Sequence, residues 1–318
     1  MTRTRAERDR DSLTRRLEVL RLPVVALKHH GFLTPTDRRE WQPEPEAVGV
    51  GPDGTAFAVW PHRRQPDRKQ VTAHAGGTGI VTSATVETEL KVSFVQPLPG
   101  GQFLLAAARG RAGASPNAQI WTSEGHLVRA GYLGDAIEEI LTTPSGDLWI
   151  GYFDEAMGGS GPQAHGLVRF THELVPDWLY PADDALPAVF DCYALNVAGE
   201  SAYCCPYTDF HLISITGNVP RDLGPAPHRS AHSLLMRNAQ GALIGGWGPE
   251  YDLVTPLRPG GQGVEPAGRQ CRIVLPDGTE AQRVRYTGRG SVLHAIARNN
   301  WYSVMLDDIA EVAQADRH

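Results

Sequence analysis

Titratable side chains stand at the beginnings of several apolar segments of this chain, and their types could support chemistry. The candidate catalytic residues are Glu138, Asp191, Tyr193, His232 and His294. Carboxylates and imidazoles can exchange protons near neutral pH, and a shared desolvated site pushes their pKa values apart. Asp191, His232 and His294 also offer the oxygen and nitrogen donors that a divalent metal cofactor would need. The residue types therefore predict acid–base or metal-assisted chemistry, provided that the fold brings them together.

No fixed spacing links these residues, and an alternative role competes with the chemical one. Asp and His side chains at strand entrances commonly cap loop amides or hydrogen-bond to a neighbouring sheet. Lys91, Ser93, Asp135, Glu139 and His228 occupy comparable positions. The sequence leaves both interpretations open.

The elements that must position these residues are short β-hairpins. Apolar runs alternate with Gly, Pro, Asn and Asp turns from about residue 22 onward, and an inner hairpin recurs about every 50 residues. The copies lie at Ala47–Trp60, Ser93–Ala107, Glu139–Gly151, Tyr193–Cys205, Leu234–Gly246 and His294–Val304. Further hairpins between them are typical of the outer strand pairs of four-stranded blades. The pattern predicts an all-β fold, a six-bladed β-propeller with a short N-terminal helix.

Two questions about the ring remain open in the sequence. Seven blades are an alternative if residues 62–92 hold a degenerate unit. The last copy lacks an outermost strand, and the apolar segment Leu22–Leu27 has no blade of its own. We expect this segment to close the ring on the last blade, since closure removes exposed sheet edges.

Both ends of the chain are predicted to lie outside the propeller at 22–306. Residues 1–21 place Leu13, Leu17 and Leu20 on one helical face behind Ser12, which predicts an amphipathic helix or tail. Residues 307–318 are predicted to be a C-terminal tail.

Composition excludes several classes of function. The chain has 318 residues and a net charge of −6, and its basic residues cluster only near the N-terminus, which argues against a nucleic-acid partner. No apolar run is long enough to cross a membrane, and no secretory signal is recognisable, so we expect a cytoplasmic protein without a membrane partner. The cysteines Cys192, Cys204, Cys205 and Cys271 lack zinc-site spacing and are expected to be buried strand residues.

The segment from Pro144 to Glu155, PSGDLWIGYFDE, followed by GLVRF from Gly166, carries a family resemblance. It is similar to the repeats of two-component-regulator propellers and streptogramin B lyase-like propellers, and more loosely to gluconolactonase-like propellers. The chain also resembles an uncharacterised group of bacterial propeller proteins with a GD-x-IE strand opening. The resemblance implies a propeller over about residues 45–305, with a metal or acid–base site at the mouth of its central channel.

Two functions follow as expectations. One is a scaffold that binds a small molecule or a protein partner on one propeller face. The other is a metal-assisted lyase or hydrolase acting on a small molecule at the channel mouth. No catalytic motif in the sequence decides between them.

Overall fold

The computed structural model describes residues 4–315 apart from residues 112, 114, 157, 158, 208, 239, 261, 262 and 282. The outermost residues of both predicted end segments, 1–3 and 316–318, therefore lie outside the described residues. Most of the described chain consists of short antiparallel strands.

Three separate sheets each contain four consecutive strands. The first has β3 (Ala47–Val50), β4 (Ala56–Pro61), β5 (Arg68–His74) and β6 (Thr82–Glu87). The second has β7 (Phe94–Leu98), β8 (Gln102–Ala106), β9 (Ala118–Trp121) and β10 (Leu127–Gly131). The third has β11 (Ile137–Thr142), β12 (Leu148–Tyr152), β13 (Leu167–Phe170) and β14 (Pro176–Leu179).

The other strands form two larger sheets, and each of these includes one N-terminal strand, β1 (Val24–Ala26) or β2 (Lys28–Phe32). One sheet has β19 (Ser233–Arg237), β20 (Gln240–Ile244), β21 (Leu253–Gly260), β23 (Cys271–Val274) and β1, with β22 (Gly263–Pro266) paired to β21. The other has β15 (Asp191–Ala198), β16 (Ser201–Tyr207), β17 (His211–Thr216) and β18 (Val219–Pro225), then β24 (Arg285–Arg289), β25 (Val292–Ala297), β26 (Asn300–Met305) and β2. The pair Val197–Arg289 joins its two halves.

The first strands of these groups lie side by side. Contacts run from β3 to β7, β11, β15, β19 and β24, and β24 contacts β3 again. Four-stranded antiparallel sheets whose first strands surround a common axis are consistent with a β-propeller. Five of the predicted inner hairpins begin a sheet, whereas His294–Val304 corresponds to β25 and β26, the strands that follow β24.

The strand that closes the last sheet differs from the prediction. The segment Leu22–Leu27 contains β1, which pairs in parallel with β23. The adjacent β2 pairs antiparallel with β26 and supplies the missing outer strand. The prediction for Leu22–Leu27 was therefore wrong by one strand, because the polar sequence Lys28-His29-His30 hides a strand whose first three residues are all exposed.

The N-terminal helix α1 (Arg5–Leu20) is attached through charge rather than through its leucines. Thr4, not Ser12, caps the helix and forms a capping box with Glu7. Arg16 pairs with the fully buried carboxylate of Asp252 at 2.6 Å and with Glu280 at 2.9 Å. Leu13, Leu17 and Leu20 stay exposed, while Val19 is buried.

The prediction of a C-terminal tail at 307–318 is wrong for residues 307–314, which belong to a helix that begins at Leu306. This is helix α2 (Leu306–Gln314), and Leu306, Ile309 and Ala313 are buried against the sheet that contains β1 and β23. The apolar spacing i, i+3, i+7 explains the packing, because it places the three side chains on one helical face. Within the described residues, no helix has the length and apolar character needed to span a membrane.

Candidate functional site

A cavity of about 180 Å³ lies where the first strands converge. It is lined by Val48 and Gly49 of β3, Phe94 and Gln96 of β7, Glu138, Glu139, Ile140 and Leu141 of β11, Tyr193 of β15, His232, and Arg285, Tyr286 and Thr287 of β24. Three of the predicted residues, Glu138, Tyr193 and His232, therefore share one cavity. Every contributing strand comes from a different part of the chain.

Local irregularities at the strand entrances aim these side chains. The pairing of β11 with β12 shifts register between Ile137 and Glu139, so that Glu138 occupies a bulge. Because a bulge breaks the alternation of side chains, the consecutive residues Glu138 and Glu139 both reach the cavity. Ala136 immediately before them has φ +56°, a strained value for a residue with a Cβ atom.

The carboxyl groups here are held in an unfavourable environment. Burial raises the pKa of Glu139 to about 8, and repulsion from Glu138 adds to the effect. The Arg285 guanidinium and the Leu195 backbone amide act in the opposite direction without cancelling it. Partial desolvation also raises the pKa of Glu138, although this residue is exposed to solvent.

Asp191 belongs to the same electrostatic group although it does not line the cavity wall. Burial raises its pKa to about 7, with further contributions from the charges of Glu138 and Asp154. Its strand, β15, also shifts register between Asp191 and Ala194. A second irregular entrance therefore lies beside the first.

Positive charge comes from alternate residues of β24, since Arg285, Thr287 and Arg289 share one face of the strand. The Arg285 side chain is exposed, and its Nη1 lies 3.4 Å from the Val48 carbonyl. Arg289 is buried and donates to the carbonyl oxygens of Thr142 at 2.6 Å and Gly51 at 3.3 Å, while its Nη1 has no hydrogen-bond partner. Burial lowers the pKa of Arg289 to about 10. Arg289 thus links the end of β11 to the residue that follows β3, although it does not itself line the cavity.

His232 lies against the ring of Tyr286, with 5.7 Å between the ring centroids. Gly245 allows this position, because a Cβ atom there would come within 1.8 Å of the imidazole Cε1. Partial desolvation lowers the pKa of His232, although this residue is exposed to solvent. The imidazole is therefore biased toward its neutral form, in which it can accept a proton.

An aromatic cluster borders the cavity at Tyr193. It consists of Tyr193, Tyr207, Phe210 and Trp247, with ring centroids 5.6 to 6.5 Å apart. Trp247 remains 56% exposed. The cluster therefore provides an apolar face next to the carboxyl groups.

His294 does not join this site, so the expectation that it opens an innermost strand is wrong. It lies on β25, where Nδ1 accepts a hydrogen bond of 3.2 Å from Trp301 Nε1. Its neighbours are His30 and Trp301, and burial lowers its pKa to about 4. The physical reason is that β24 takes the inner position and displaces His294 outward by one strand.

The predicted metal set Asp191, His232 and His294 is consequently not assembled. Across the described residues, no group of three or more His, Cys, Asp or Glu side chains has the arrangement needed to hold a metal ion. The four cysteines are free and buried, as expected for strand residues. Asp191 and His232 do remain near the cavity.

Sequence reasoning missed Arg285, Tyr286, Thr287 and Arg289. The signal was weak, because RYTGR has one large apolar residue in five and no clear alternation. Only the pairing of β24 with β25 shows that this polar segment is an inner strand. The basic half of the site therefore emerged from the structure.

Comparisons with known proteins find solved structures that are similar to this chain but do not assign it to a family. No family model and no curated protein matches the chain. A PQQ-bound aldose sugar dehydrogenase from Streptomyces coelicolor has a TM-score of 0.48 at 11% identity, covering 88% of this chain and 97% of its own. A gluconolactonase from Xanthomonas campestris has a TM-score of 0.45 at 9% identity, covering 89% and 98%. A protein of unknown function from Bacteroides caccae has a TM-score of 0.38 at 15% identity, covering 54% of this chain and 63% of its own.

The first two neighbours are β-propeller-like proteins, as the sequence resemblance implied at the level of the fold. Their scores lie under 0.5, so the assignment of the fold rests on strand pairing within this chain. The candidate site rests on its own geometry.

Proposed function

We propose that this chain is a six-bladed β-propeller whose central cavity binds a small polar molecule. The closed series of contacts among β3, β7, β11, β15, β19 and β24 supports the blade number. The observation that carries the function is the convergence of Glu138, Glu139 and Arg285 on one cavity of about 180 Å³. A cytoplasmic location is proposed from the sequence alone.

The cost of this arrangement to folding supports a binding role. Burial disfavours the ionised forms of Glu139 and Asp191, and the charge of Glu138 adds to this effect on both. Uncharged residues in these positions would remove that cost, and strain of this kind is typical of functional sites. A bound molecule with complementary groups would supply the partners that the free protein lacks.

The test is a thermal-shift screen with small amines, carboxylates, amino acids and sugars, run on the wild type and on Glu138→Gln. We expect at least one compound to raise Tm of the wild type, since a ligand that binds only the native state stabilises it. Glu138→Gln should raise Tm without ligand and lose the ligand response. Glu173→Gln is the matched control, because its carboxylate is exposed on the outer side of the third sheet.

Two results would contradict the proposal. One is the absence of any wild-type response across the four compound classes. The other is a fall in Tm of Glu138→Gln without ligand, which would mean that this carboxylate serves the fold.

A second candidate, an acid–base lyase or hydrolase, is favoured by one specific observation. Glu139 has a pKa raised to about 8, while the pKa of His232 in the same cavity is lowered. At neutral pH the carboxyl group can donate a proton and the imidazole can accept one. The cavity thus holds a protonated carboxyl group that can act as the acid and a neutral imidazole that can act as the base.

A panel of lactones and esters tests this candidate on His232→Ala and His294→Ala. The enzyme hypothesis predicts that His232→Ala abolishes turnover with an unchanged Tm. His294→Ala is the matched control, because it should lower Tm through the lost Trp301 contact and retain turnover. Equal activity of His232→Ala and wild type would exclude the acid–base role of this imidazole.

A further inference from the structure

The cavity carries charges of both signs on different walls, and this narrows the class of molecule it would take. Glu138 projects from β11 in the third sheet, and Arg285 projects from β24, which pairs with strands of another sheet. The Arg285 charge favours ionisation of both glutamates, but burial outweighs it. Acidic and basic groups therefore face one cavity from different walls.

A second guanidinium with spare hydrogen-bonding capacity lies outside the cavity lining, four residues beyond Arg285 on the same strand. Arg289 is only 6% exposed, and its Nη1 is buried without a hydrogen-bond partner. Its other donors are committed to the backbone carbonyls of Thr142 and Gly51. Because a buried unpaired donor is costly, this atom favours negative charge on the basic side of the cavity.

On the acidic side of the cavity, Asp191 adds a third carboxyl group to Glu138 and Glu139. Aromatic rings border this side. The charges of Glu138 and Asp154 help to raise the pKa of Asp191, so these carboxyl groups lie within electrostatic reach of one another. The Tyr193 ring lines the cavity and packs edge-on against Trp247 at 6.0 Å. Carboxylates beside aromatic faces are suited to an ammonium group.

We propose that the ligand is a small zwitterion that carries one ammonium and one carboxylate group. Its carboxylate pairs with Arg285, where the nearby buried charge of Arg289 also favours an anion, and its ammonium lies against Glu138 on the side of Asp191 and Tyr193. A molecule of amino-acid size matches a cavity of about 180 Å³. This inference rests on the proposed function and specifies the ligand of that same cavity.

The experiment measures binding of four ω-amino acids of increasing length by calorimetry: glycine, β-alanine, 4-aminobutyrate and 5-aminovalerate. Butylamine and butyrate serve as matched probes with a single charge. We expect at least one ω-amino acid to bind at least about tenfold more tightly than either single-charge probe, because each end adds a charge-assisted contact. The preferred length reports the distance between the two charged walls.

Two variants test which side chain binds each charged end of the ligand. Arg285→Gln and Glu138→Gln should each weaken the best ω-amino acid about tenfold or more, since each leaves one ligand charge unpaired. Arg285→Gln should leave butylamine binding nearly unchanged, and Glu138→Gln should do the same for butyrate. Arg258→Gln is the control, because that side chain is 60% exposed and pairs with Glu265 away from the cavity.

The failure of this inference is distinguishable from failure of the proposed function. A single-charge probe or a sugar could instead bind as tightly as every ω-amino acid and lose this binding in Arg285→Gln or Glu138→Gln. That result would overturn the zwitterion as the ligand class and leave the proposal of small-molecule binding intact. If no probe binds at millimolar concentration, the zwitterion proposal is likewise overturned. The thermal-shift screen with the four compound classes then decides whether the cavity binds a small molecule of another kind.

Discussion

Replacing Glu139 with Gln should make the protein more stable at alkaline pH. The unfolded chain loses this proton near pH 4.5, whereas the folded protein holds it to about pH 8. Between these values the folded state binds more protons than the unfolded state. The contribution of Glu139 to the free energy of unfolding therefore falls as pH rises through this window.

The magnitude follows from the raised pKa. An increase from 4.5 to about 8 corresponds to about 5 kcal/mol against the ionised form, at about 1.4 kcal/mol per pH unit. Because Glu139 lines a cavity that solvent can enter, this is an upper limit, and we expect about 2 to 3 kcal/mol. Glutamine keeps the shape and can still accept from the Leu195 amide, but it carries no charge.

Urea unfolding of the wild type and Glu139→Gln at pH 5, 7 and 9 measures this difference. The variant should be more stable by only about 0.8 kcal/mol at pH 5, where part of the unfolded-state glutamate is already ionised, and by about 2 to 3 kcal/mol at pH 9. Glu173→Gln controls for the general effect of removing a surface carboxylate. Parallel stability curves, or a variant that gains stability only at pH 5, would refute the electrostatic reasoning.

Three further changes test how the site is supported, each by urea unfolding. Arg16→Gln should cost about 3 kcal/mol, because the fully buried Asp252 loses its closer ion-pair partner and keeps only Arg272 at 3.9 Å. Arg5→Gln, at a 91% exposed position, should cost nothing measurable. Equal stability of the two variants would show that the ion pairs do not hold α1. Gly49→Ala should cost about 3 kcal/mol, because its Cβ would lie 1.8 Å from the Val95 carbonyl oxygen. Gly79→Ala is the control, because a Cβ atom there meets open space. Similar unfolding free energies of the two variants would contradict the close approach of β3 to β7. Thr72→Val should cost about 2 kcal/mol, because the buried Trp60 Nε1 loses its acceptor at 2.8 Å. The same change at the exposed Thr85 should be nearly neutral. A neutral Thr72→Val would mean that this hydrogen bond adds no stability.

Much of the sheet order could be predicted because hairpins are local. Gly146 has φ +98° in the turn between β11 and β12, a conformation that glycine adopts without strain, so PSGD identifies the turn. Trp149 is 1% exposed and packs among residues of the third sheet and of β15–β17, in keeping with its apolar surroundings in the sequence. Turn chemistry and alternation act within about ten residues, and sequence reasoning has access to that range.

Predictions failed where pairing is not local. The edge strand Lys28–Phe32 has little apolar pattern, and only its pairing with residues near 300 makes it a strand. His294 follows the alternation of an inner strand, but the position of β24 makes its own strand the second one. Both errors concern the closing sheet, where the two ends of the chain meet.

The sequence by itself determined an all-β repeat architecture and the acidic entrances at Glu138 and Asp191, because hydrophobic alternation and turn residues act locally. Only the tertiary structure decided which polar groups face one another. It added Arg285 to the cavity lining, left His294 outside it and paired α1 with Asp252. The physical reason is that burial, ion pairing and the resulting pKa values depend on distances between strands that lie far apart along the chain.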